Sequence, residues 1–133
     1  MLGVREPKIY GNQTLSDLEL VCHQTARDLG LSLECQQSNH EGELITWIQE
    51  SRNKNSGIII NAGAYSHTSI AILDALQAVG LPTIEVHISN IFSREPFRHH
   101  SIISAAAQGV ICGLGFDGYA YALQAMAKLI KSS

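Results

Sequence analysis

The chain has 133 residues, 16% of them charged, and a formal net charge of −3. This balance excludes the basic footprint that a nucleic-acid or anionic-membrane partner needs, and no apolar run approaches the ~18 residues that cross a bilayer. One domain over residues 1–133 is long enough to bury a core.

Residues 1–11 follow no regular period and contain Gly3, Pro7 and Gly11; they carry Arg5 and Tyr10 in what reads as a mobile lid. Thr14-Leu15-Ser16-Asp17 has the form of a capping box, and Leu15, Leu18, Val21 or Cys22, Ala26 and Leu29 follow at helical spacing up to Gly30. Leu31, Leu33 and Cys35 alternate as a short strand. A polar loop over 36–42 then leads into a helix carrying Leu44, Ile45, Trp47 and Ile48. Residues 57–61 predict a buried strand, and 69–79 a helix ended by Gly80 and Pro82. Residues 83–87 and 109–112 predict two further strands, and the closing helix is expected over 117–131. Between them, 89–101 lacks periodicity over a length that suggests a functional loop. Alternating strands and helices with short connections mean a parallel sheet covered on both faces.

Three strand ends carry polar side chains: Ser38-Asn39-His40, the stretch from Asn61 to His67, and His87-Ile88-Ser89-Asn90. Parallel strands align such ends, so these residues are expected to share one crevice at the carboxyl edge of the sheet. Arg94 and Arg98 stand four apart and would share a face of a helix; arginine forks bind carboxylates in bidentate geometry. Taken alone, a solvated charged turn explains them as well. His99-His100 has no carboxylate or cysteine beside it, so no metal site is expected. Gly113-Leu114-Gly115-Phe116-Asp117-Gly118 spells a dinucleotide motif, yet neither a further strand nor an acidic residue about twenty positions on follows it. A tight turn and close packing explain these glycines better. Cys22, Cys35 and Cys112 lack ligand spacing and read as buried small hydrophobes in a reducing compartment. With no signal-peptide pattern at the start, a cytoplasmic location is expected.

Several runs together resemble the type II 3-dehydroquinate dehydratases. They are Arg5-Glu6-Pro7-Lys8-Ile9-Tyr10-Gly11, Ser38-Asn39-His40-Glu41-Gly42, residues 60–69, Ile84-Glu85-Val86-His87-Ile88-Ser89-Asn90, residues 94–101 and residues 109–115. The resemblance implies a flavodoxin-like three-layer α/β/α sandwich with a parallel sheet. It also implies a cofactor-free lyase that turns 3-dehydroquinate into 3-dehydroshikimate, in aromatic amino acid biosynthesis or quinate catabolism. By the same resemblance Tyr10 is the base that takes the C2 proton, Arg5 stabilises its phenolate, and His87 is the acid that protonates the departing C1 hydroxyl. Arg94 supports the tyrosine from its loop, while Asn61, His67, Ile88, Ser89 and Arg98 match substrate-binding positions. Asp74 matches one contributed by a neighbouring subunit, in a homododecamer built as a tetramer of trimers. The low charged share agrees with such an assembly, as it would with a merely uncharged surface.

The chain departs from the family pattern before Leu2-Gly3, where an opening strand and an Asn-Gly-Pro-Asn-Leu-Asn turn usually stand. The expectation is a sheet short of its first strand, through a start point downstream of the usual one. The competing expectation is an inactive or weakened oligomer that still binds polyhydroxy carboxylates. A flavin or nucleotide binder on the same fold is a third. Phe92 stands where the family often has histidine, and Leu73 where it often has arginine.

Overall fold

A computed structural model describes residues 14–132. Arg5 and Tyr10, with the rest of the expected lid, lie outside the described residues. Helix α1 (Leu15–Asp28) starts as a capping box: the Asp17 amide donates to Thr14 Oγ1 at 3.2 Å, and the Thr14 amide to the Asp17 carboxylate at 3.0 Å. Leu18, Cys22 and Ala26, four residues apart, form its buried stripe. Gly30, at φ 74°, turns the chain so that the Leu31 amide reaches the Ala26 carbonyl at 2.8 Å.

Beyond α1 come α2 (Glu41–Glu50), β1 (Ile58–Ile60), α3 (Ile70–Val79), β2 (Thr83–His87), β3 (Gly109–Cys112) and α4 (Asp117–Ser132). The strands form a parallel sheet in the order β1-β2-β3, with Ile59 opposite Ile84 and Val86 opposite Ile111. Every residue of β2 is buried, as expected of a strand covered on both faces. Its period of two sends Ile84 and Val86 toward Ala122 and Met126 of α4. Thr83, Glu85 and His87 therefore turn to the opposite face. There Ile48 of α2 and Ile72 and Leu76 of α3 pack with Ile60 and Ile103. On the first face Leu18 and Cys22 of α1 pack with Phe116 and Leu123. The expected three-layer α/β/α sandwich is what the chain forms. Among the described residues, no helix is long and apolar enough to cross a membrane.

Segment 31–35 differs from its expectation. Leu31 and Leu33 pack on the α1 side while Ser32 and Glu34 are exposed, so the in-and-out alternation is real. Yet the segment forms no ladder with any described residue, because β1 pairs with β2 alone among them. Alternation specifies a face, whereas a strand also requires a partner for its backbone groups. Cys35 is exposed rather than buried.

The unpatterned stretch 89–101 contains single 3₁₀ turns at Ile91–Ser93 and Pro96–Arg98, followed by Ile102–Ala106. The Asn90 side chain accepts the Phe92 amide at 3.0 Å and starts the first turn; Pro96, which has no N–H, starts the second. The glycines after β3 make a turn, as expected. Gly113 sits at φ 81°, and a Cβ there would lie 3.1 Å from the Asn90 Cβ.

Candidate functional site

Strands β1 and β2 end side by side, and the residues that follow them wall a polar cleft of about 40 Å³. Asn61 leaves the end of β1; its Oδ1 accepts the Gly63 amide at 3.0 Å, and its Nδ2 donates to the Tyr119 hydroxyl at 3.0 Å. A 3₁₀ turn over Gly63–His67 then brings His67 to the cleft. Nδ1 of His67 lies 2.8 Å from the His100 carbonyl. A carbonyl can only accept, so Nδ1 carries the proton and Nε2 is left as the acceptor in the neutral ring.

His87 ends β2 with its ring nearly parallel to that of His67, the centroids 6.2 Å apart. Two residues earlier on the same face, Glu85 is fully buried, with Oε2 against Nε2 of His87. The same oxygen accepts the Ser101 hydroxyl at 2.6 Å, and Oε1 accepts the Ser104 hydroxyl at 2.5 Å. Burial pushes the Glu85 carboxyl up. The hydrogen bonds from His87, Ser101 and Ser104, together with the His87 charge, outweigh that push and hold it below the usual carboxylate value.

Ile88 and Ser89 continue the wall beyond His87, and Arg94 and Arg98 close it from the long loop. The arginines do not share a helical face, since two short turns separated by Glu95 hold them. They converge even so: Arg98 Nε donates to Glu95 Oε2 at 2.8 Å, and Arg94 Nε stands 4.0 Å from that oxygen. Among the described residues, two guanidiniums stand beside one exposed carboxylate here, and guanidinium forks suit an anion.

Asp74, expected to serve a neighbouring subunit, is exposed on α3 and lies outside this cleft. Ser38, Asn39 and His40 are also absent from its wall, so the first of the three polar ends does not join the crevice. The Ser38 hydroxyl donates to Glu43 at 2.7 Å and accepts the His40 amide at 2.9 Å, which commits it to the start of α2. Glu85 and Ser101 stand within runs that carry the resemblance, but the sequence alone assigns neither them nor Ser104 a role in the site. The available signal was Glu-x-His on a strand, whose period places both side chains on one face.

A larger cavity of about 180 Å³ lies between α1, α4 and β1, walled mainly by apolar residues such as Leu18, Leu33, Ile59 and Leu123. The smaller cleft, where two histidines and two arginines meet, is the one equipped for proton transfer at a carboxylate-bearing molecule. Among the described residues, no group of three or more His, Cys, Asp or Glu side chains has metal-binding geometry. Burial, with the nearby Cys35 and Glu19 charges adding to it, pushes the Cys22 thiol up to about 11.

The family model described as Dehydroquinase class II matches residues 1–127. A 3-dehydroquinate dehydratase of Rhodopseudomonas palustris is 54% identical over 100% of this chain and 89% of that protein. The 3-dehydroquinate dehydratase 2 of Pseudomonas putida is 56% identical over 98% of this chain and 88% of that protein. The crystal structure of a type II dehydroquinase from Propionibacterium acnes superposes with a TM-score of 0.90 at 46% identity, covering 96% of this chain and 88% of that one.

Proposed function

The chain belongs to the class II dehydroquinase family, and from that premise we infer that it is a 3-dehydroquinate dehydratase, a lyase that removes water from its substrate to give 3-dehydroshikimate. Within the site, the observation that carries this inference is the buried Glu85–His87 pair at the wall of an arginine-edged cleft. Such a pair holds an imidazole in one orientation, as an acid that must meet a leaving hydroxyl requires.

The assigned roles follow the chemistry of the reaction. The proton on C2 is acidified by the neighbouring ketone, and Tyr10, in the role of a phenolate that Arg5 and Arg94 would stabilise, removes it to give an enolate. The enolate collapses to a carbon–carbon double bond as the C1–oxygen bond breaks. His87 gives its proton to that oxygen, so one water leaves and a conjugated enone remains. Glu85 keeps the imidazole oriented for the transfer. Asn61, His67, the Ile88–Ser89 segment and Arg98 hold the polyhydroxy carboxylate, with the Arg98 fork suited to the carboxylate itself. This chemistry calls for no metal or organic cofactor.

The whole chain acts as one domain in a cytoplasmic homododecamer, a tetramer of trimers, with no nucleic-acid or membrane partner. Asp74 serves the site of the neighbouring subunit. Supporting that assembly, Ile70 and Asp74 both point outward from α3, with Ile70 62% exposed, and Phe97 and Leu114 are more than half exposed. Incubation with 3-dehydroquinate should produce the ultraviolet absorbance of the conjugated product. Calorimetric binding without that absorbance would instead identify a catalytically silent binder.

A further inference from the structure

We infer that Tyr119 is a positioning residue that fixes Asn61 for the substrate; the inference rests on the dehydratase function proposed above. Tyr119 sits in the first turn of α4, 58 residues from Asn61 in sequence, with its ring packed against the apolar clusters on that face. Its hydroxyl accepts from Asn61 Nδ2 at 3.0 Å, while Asn61 Oδ1 accepts the Gly63 amide at 3.0 Å. The backbone amide of Gly63 can only donate, so the oxygen of the Asn61 side chain must face it and the nitrogen must face Tyr119.

A carboxamide has two N–H groups and two acceptor sites on its oxygen. The two bonds occupy one of each. What remains for the cleft is one donor and one acceptor side by side, the pattern that matches a hydroxyl, which also gives and takes one hydrogen bond. Asn61 borders both cavities, whereas Tyr119 borders the larger one. Tyr119 therefore holds the amide nitrogen from the side of the larger cavity while the Gly63 amide holds the oxygen, and the two bonds together fix the plane of the carboxamide.

Replacing Tyr119 by Phe deletes only the hydroxyl and keeps the packing ring. Tyr119→Phe should raise KM for 3-dehydroquinate about five-fold and leave kcat within about two-fold, the signature of lost substrate binding without lost chemistry. The same substitution in an Asn61→Ala background should leave KM unchanged, because nothing remains to position. An unaltered KM in Tyr119→Phe, or an equal rise in both backgrounds, would overturn the inference in favour of a packing role. Urea unfolding of the four proteins reads the same coupling without turnover: the midpoint should fall further with Tyr119→Phe while Asn61 is present than after Asn61→Ala. A parent chain without turnover would thus count against the dehydratase function, and the unfolding cycle would still decide the Tyr119–Asn61 bond.

Discussion

Glu85 presents its carboxylate to the imidazole of His87 from two residues back along β2, and both side chains are buried. No other acid reaches His87 within salt-bridge distance among the described residues. Because Ser101 and Ser104 also point their hydroxyls at Glu85, one carboxylate joins the end of β2 to the segment that follows the arginine loop. The pair thus links the packing of the fold to the chemistry of the cleft.

Glu85→Ala should destabilise the protein by about 3–5 kcal/mol, since it leaves a buried imidazole and two hydroxyls without their shared acceptor. Urea unfolding monitored by circular dichroism checks this. A loss below about 1 kcal/mol would mean that the three donors find other partners.

Acidification should weaken the folded state through the same residue. The Glu85 pKa is depressed in the fold, so its contribution is complete above the unfolded value of ~4.3 and is lost as pH falls through the folded value. The unfolding midpoints of the parent and of Glu85→Gln should differ most near neutrality and converge as pH falls from the unfolded value of ~4.3 through the depressed folded value. A constant difference across that range would contradict the depressed pKa.

His87→Ala should lower kcat by about a hundred-fold or more and leave KM nearly unchanged, because the loss falls on proton donation and not on substrate contact. Rapid-quench or steady-state absorbance assays give both constants. Unchanged kinetics would exclude His87 as the acid.

Tyr10→Phe should abolish measurable turnover and leave calorimetric affinity for 3-dehydroquinate largely intact. The phenyl ring keeps the shape of the side chain but has no oxygen to take the C2 proton. Turnover near that of the parent would show that another group is the base.

The parts of this structure that were legible beforehand are those set by near neighbours in the chain. The Thr14–Asp17 capping box, the stripe of Leu18, Cys22 and Ala26, and the buried run of β2 are each decided within a few residues. The resemblance to the dehydroquinases rests on runs equally local. Short-range patterns were also enough to place Asn61 and His87 at the ends of parallel strands, whose ends align by geometry; that the two strands are neighbours comes from the fold.

Tertiary contacts decided the rest. Whether 31–35 forms a ladder depends on a partner strand and not on its own alternation. Arg94 and Arg98 converge through the placement of two short turns, which their spacing of four did not predict. The acceptor that holds His87 could be guessed from Glu-x-His, but what satisfies Glu85 lies 16 and 19 residues further on, in a segment without a period to betray it. Tyr119 reaches Asn61 across 58 residues. Local periodicity reports which side of an element is buried, because burial acts on each residue singly. A hydrogen bond needs two specific groups at about 3 Å, and only the folded chain brings distant residues that close.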